Sequence, residues 1–183
     1  MAADFIAPFI AVGLAELGDK TQLALILLST RTKRRVLLLS GAVLGFLLVD
    51  GVAVAAGSWV GDALPRDVVK AAAGLAFILF GAVMLMSGGE NDRERIRPGN
   101  PFISSFLLIS LTEFGDKTQI AAGLFAARYN PLMVLAGAMA SLTLLSAAAI
   151  ALGSGLSARV NPEKASRIAG MTFIIIGVGT VII

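Results

Sequence analysis

Six long apolar runs, at about 5 to 29, 36 to 60, 68 to 88, 102 to 127, 132 to 157 and 165 to 183, take up most of the chain. Each is long enough to cross a bilayer as a helix, which needs about 20 apolar residues at 1.5 Å of rise per residue. The breaks between them, Thr30 to Arg35, Gly61 to Asp67, Gly89 to Pro101, Arg128 to Pro131 and Ala158 to Lys164, collect glycine, proline and charge. The pattern predicts an all-α membrane protein with six transmembrane helices.

The chain also repeats itself. Glu16-Leu17-Gly18-Asp19-Lys20-Thr21-Gln22 returns 97 positions later as Glu113-Phe114-Gly115-Asp116-Lys117-Thr118-Gln119. Beyond the motif the offset becomes 96, aligning Gly41 with Gly137, Gly74 with Gly170, Phe77 with Phe173 and Gly81 with Gly177. Three spans per repeat is an odd number, so the second half is expected to enter the membrane in the opposite sense. The expected organisation is a first three-helix repeat over 1–88, a cytoplasmic linker over 89–101 and a second, inverted three-helix repeat over 102–183. Inverted repeats of this kind place a transporter's site near mid-membrane, where the halves meet. The glycine pairs are read as close helix packing.

Composition sharpens this picture. Of 183 residues 57% are hydrophobic and 15% charged, against roughly 25% charged in soluble domains. Cysteine and histidine are both absent, which removes disulfides, thiolate metal sites and imidazole ligands and leaves carboxylates to bind metal or move protons. The net charge is only +3, and the basic residues sit in loops, where they signal topology and lipid contact and not a nucleic-acid surface. Apart from the motif lysines, Arg31, Lys33, Arg34, Arg35, Arg93, Arg95, Arg97, Arg159, Lys164 and Arg167 fall on one side, and Arg66, Lys70 and Arg128 on the other. The positive-inside rule then puts both termini outside the cytoplasm. Met1 to Asp4 lack a basic leader, so the first run reads as a spanning helix and not a signal peptide. Trp59 and Tyr129 are expected as interfacial anchors.

Depth makes the repeated motif chemical. Glu16, Asp19, Glu113 and Asp116 lie near the middle of two apolar runs, and each unpaired charge there costs roughly 2.5 to 3.5 kcal/mol. Four such acids would cost about 10 to 14 kcal/mol, comparable with the whole stability of a domain at about 5 to 15 kcal/mol. Protons, the lysines, water or a cation must offset that. On a continuous helix Glu16 and Asp19 would share a face and Lys20 could pair with Glu16, so an ion-pair lattice is the structural alternative. Gly18 and Gly115 permit unwinding that would expose carbonyl oxygens, and Pro8 would weaken the first helix further. Thr21, Gln22, Thr118 and Gln119 add neutral oxygens, completing an all-oxygen pocket suited to magnesium, calcium or manganese. With Lys20 and Lys117 the six charged motif residues sum to −2, which one divalent cation or two protons would neutralise, so exchange of cation against protons is expected. Asp50 is a further mid-membrane acid whose aligned position is Ser146. It is expected as a proton relay or entry ligand, or as an inter-helix hydrogen-bonding group.

Two copies of Glu-x-Gly-Asp-Lys-Thr in a six-helix chain of this size resemble the cation/proton antiporters of uncharacterised-protein-family-0016, the second calcium:proton antiporter family. The resemblance covers essentially the whole chain. It implies a secondary transporter of manganese or calcium working by alternating access, with Glu16, Asp19, Glu113 and Asp116 as the metal-binding acids and Lys20, Thr21, Lys117 and Thr118 as the remaining motif positions. It implies no enzymatic cofactor, the ion itself being the ligand, and protons as the coupling partner. The lack of a targeting extension resembles prokaryotic plasma-membrane members, and a homo-oligomer stays open. Two other readings remain: a small amino-acid or organic-cation exporter of the lysine-exporter type, and an intramembrane lipid-pyrophosphate phosphatase. The second wants a mid-membrane Arg or His for phosphate, and none is present: the chain has no His, and Arg167, the one arginine within a run, lies at its start.

Overall fold

The computed structural model describes residues 2–86, 100–152 and 162–182, and all their regular structure is helical. The described residues form α1 (Ala2–Glu16), α2 (Lys20–Thr30), α3 (Arg35–Ala63), α4 (Arg66–Met86), α5 (Pro101–Thr112), α6 (Lys117–Arg128), α7 (Pro131–Leu152) and α8 (Pro162–Ile182). Of the expected linker over 89–101, all but Asn100 and Pro101 lie outside the described residues.

The runs at 36 to 60, 68 to 88, 132 to 157 and 165 to 183 appear as α3, α4, α7 and α8. Those at 5 to 29 and 102 to 127 do not form single helices; each is broken at the repeated motif. One glycine per break is the cause. Gly18 has φ 80° and Gly115 φ 84°, the left-handed region that any residue with a Cβ enters at a cost. The chain then turns the same way twice, with the Asp19 N–H donating to the Glu16 carbonyl and the Asp116 N–H to the Glu113 carbonyl, both at 3.1 Å. Pro8 contributes nothing to the break, since α1 runs through it without interruption.

Glycines also set how the helices pack. A Cβ on Gly41 would meet Phe102 and Ser105, on Gly45 Ile109, on Gly57 Gly123 and on Gly61 Ala127, so α3 runs parallel to α5 and then α6 at backbone-to-backbone range. The same relation recurs between α7 and α1, where Gly137 abuts Phe5 and Ser141 faces Gly13. Helices α4 and α8 cross antiparallel, Gly74 against Gly177 and Gly81 against Gly170. At that crossing the Phe77 ring lies 5.9 Å from Phe173 and 4.7 Å from Phe125.

These pairings bury two apolar clusters, one around Phe77, Phe125 and Phe173 and the other around Val12, Leu25, Phe46, Ile109 and Leu142. The outside is apolar as well: Leu27, Val52, Leu79, Leu107, Leu144 and Ile175 are exposed, a surface suited to lipid and not to water. By length and composition, Arg35–Ala63 and Pro131–Ala151 can each cross a membrane. Trp59 is exposed toward the end of α3, and Tyr129, partly buried just after α6, packs against the core beside Phe125 with the Arg128 guanidinium 5.6 Å from its ring.

Candidate cation site

Because both breaks fall at the motif, its acids sit on helix ends. Glu16 is the last residue of α1 and Glu113 follows the last of α5, while Asp19 and Asp116 immediately precede α2 and α6. Asp116 occupies the N-cap of α6, yet its side chain makes no capping hydrogen bond. Its carboxylate remains available to the space between the breaks, at a helix start where partial positive charge favours an anion.

That space is where the halves converge. One carboxylate oxygen each from Glu16, Asp19 and Asp116 lies within 4.8 Å of the others, an arrangement able to hold a metal ion. Glu16 is 1% exposed and, among the described residues, neither of its oxygens has a hydrogen-bond partner. Burial without a protein partner is costly for a charged carboxylate, so these oxygens are candidates to meet a cation or a proton. Asp19 is tied across the halves by Lys117, whose Nζ donates to Asp19 Oδ2.

Glu113, 2% exposed, is treated differently. Thr21 Oγ1 donates to its Oε1 from the other half, and Thr118 Oγ1 donates to its Oε2 at 3.2 Å. The Thr112 hydroxyl, which sequence reasoning passed over, stands 3.4 Å from that of Thr21. The duplicated sequence therefore builds an unequal pair: one glutamate bare, its counterpart held by two hydroxyls.

The glutamines each accept a backbone hydrogen bond at the break. Gln22 Oε1 accepts from the Gly18 N–H at 3.3 Å, and Gln119 Oε1 accepts from the Gly115 N–H at 2.5 Å. Each thus braces a left-handed turn by satisfying an amide that the interrupted helix leaves over. Gln119 Nε2 reaches on to the Val49 carbonyl at 3.2 Å, tying the second break to α3 next to Asp50. Asp50 itself is 2% exposed with Oδ2 unpartnered among the described residues. Lys20 opens α2, but its side chain lies outside the described residues. Its pairing with Glu16, considered for a continuous helix, therefore lies outside the described residues too, and the helix is broken between the two positions.

Comparison with known proteins agrees in kind. The profile of the family described as divalent cation/proton antiporter GDT1 matches residues 4–92 and 101–183. A Vibrio cholerae protein provisionally named a manganese exporter is 34% identical over 118 residues, which is 64% of this chain and 59% of that protein. A GDT1-like protein from Synechocystis is 27% identical over 200 residues, covering 97% of this chain and 96% of its own length. GDT1-like protein 3 of Oryza sativa subsp. indica is 24% identical over 187 residues, or 87% of this chain and 67% of the relative. No solved structure matches the chain.

Proposed function

Because the chain belongs to the divalent cation/proton antiporter GDT1 family, whose members are membrane transporters and not enzymes, we propose that it exchanges a divalent cation, manganese or calcium, for protons by alternating access at the carboxylates between its two helix breaks. The observation that carries this reading is the approach of Glu16, Asp19 and Asp116 oxygens to within 4.8 Å of one another, with the Glu16 carboxylate buried and unpartnered. Oxygen donors without His or Cys favour a hard cation. Manganese is the first candidate because the Vibrio relative is provisionally named an exporter of that ion.

Proton coupling follows from charge. An ion leaving the site exposes carboxylates to a medium that penalises them by several kcal/mol each, and protons taken up in its place remove the penalty. The same acids thus serve both cargoes in turn. Six spans in two inverted repeats are supported by packing directions: α3 parallel to α5 and α6, α7 parallel to α1, α4 antiparallel to α8. In this reading α1 with α2 makes one span and α5 with α6 another, giving repeats over 1–88 and 102–183, with both termini outside the cytoplasm of a prokaryotic plasma membrane.

Flux of radiolabelled manganese and calcium into proteoliposomes tests it, with and without a proton gradient. Wild type is expected to move cation in response to the gradient, and Glu16→Gln to abolish flux while the protein still inserts. Flux indifferent to the gradient, or undiminished in Glu16→Gln, would count against the mechanism.

A further inference from the structure

The two halves of the site differ at one buried position beyond the motif. Asp50 on α3 aligns with Ser146 on α7, and both are 2% exposed. The packing register says what each one faces. Gly41 lies on Phe102 and Ser105 and Gly45 on Ile109, so continuing along the parallel helices brings Asp50 to the level of Glu113. The Gln119 bond to the Val49 carbonyl holds α3 against the second break at that level. By the same count along α7, from Gly137 on Phe5 and Ser141 on Gly13, Ser146 reaches the level of Glu16. The second break therefore has an additional acid with an unpartnered, buried oxygen; the first has a hydroxyl.

Building on the exchange reading, we propose that the cation occupies two stations in turn and that Asp50 is an added ligand at only one of them. The first station is the trio Glu16, Asp19 and Asp116, assembled in this structure. The second is its mirror, Glu113 with Asp116 and Asp19, and forms when the Thr21 and Thr118 hydroxyls release Glu113. There Asp50 supplies a fourth carboxylate. A hard cation is held more tightly as ligand charge rises, so the two faces of the membrane meet stations of unequal affinity. The gradients alone set the end point of exchange, so the asymmetry alters apparent affinity and maximal rate on each face without altering the equilibrium.

The test is manganese flux in vesicles of defined protein orientation, with KM measured from each face in turn. Asp50→Ser, which makes the two stations alike, is expected to raise KM about 10- to 100-fold on one face and leave the other unchanged. Adding Ser146→Asp to that variant is expected to transfer the tighter KM to the opposite face. Asp50→Asn, nearly isosteric, gives the same one-sided reading should the serine variant fail to fold. Equal changes on both faces, or none, would overturn the inference while leaving cation exchange intact. Absence of wild-type flux would overturn the exchange reading, and this inference with it.

Discussion

Replacing Gly115 with alanine isolates the backbone conformation that breaks the second motif span. A Cβ built on Gly115 has no atom within 4 Å, so steric crowding contributes nothing, and the whole effect comes from φ 84°. Holding an L-residue there costs about 1 to 2 kcal/mol. Alanine also favours a continued helix over glycine by about 1 kcal/mol, which biases the chain toward joining α5 to α6. A joined helix would carry Asp116 round to the Glu113 face, away from Glu16 and Asp19. The combined bias of about 2 to 3 kcal/mol is expected to weaken manganese binding in detergent by up to about 30- to 150-fold, at about 1.4 kcal/mol per factor of ten. Isothermal titration gives the affinity, and melting with and without manganese shows whether the loss falls on the site or on the fold. Gly115→Asn should retain most of the affinity, because asparagine enters the left-handed region more readily. Wild-type binding in Gly115→Ala, or asparagine as damaging as alanine, would refute the account.

Two further outcomes follow from contacts already described. Thr21→Val removes the cross-half donor to Glu113 and is expected to cut manganese flux about tenfold, a hydrogen bond to a charged group contributing about 1.5 to 3 kcal/mol; Thr21→Ser should restore most of it, and flux indifferent to both would show the contact to be incidental. Gly57→Ala drives a methyl into the backbone of Gly123, whereas Gly51→Ala on the same helix meets nothing within 4 Å. Thermal melting should show a large loss for the first and none for the second, and equal melting temperatures would refute glycine-dependent packing of α3 on α6.

Much of this was legible because membrane insertion makes charge expensive. Four acids inside apolar runs pointed to a candidate site, and the duplication of Glu16 to Gln22 at Glu113 to Gln119 put two of them in each copy of the motif. The glycines between the acids flagged where a helix could open, and both do sit in the left-handed region. The periodicity of side chains could not say that they would end helices outright, since an isolated glycine is equally compatible with an uninterrupted span. Pro8 misled for a related reason: proline removes one helical hydrogen bond, but neighbouring packing can absorb the loss. Pairings across the halves were also out of reach. Local spacing offered Lys20 as a partner four residues from Glu16, whereas Lys117 reaches Asp19 only once the tertiary fold brings the breaks together. Likewise the glutamines read as two more oxygens, although a carboxamide four residues after a left-handed glycine is placed to accept that glycine's amide.

The pairing of Asp19 with Lys117 spans 98 positions, and this separation has a consequence for biogenesis. At roughly 5 to 20 residues per second, the ribosome needs on the order of 5 to 20 s after finishing the first motif to deliver the second. Throughout that interval the nascent α1 and α2 lack Asp116 and Lys117, and Glu16 must wait at the insertion machinery or in bilayer without the constellation that later surrounds it. Early release of the amino-terminal half into lipid would carry an incomplete acidic cluster with it, so retention beside the translocon until α6 emerges is the safer route to a correctly assembled protein.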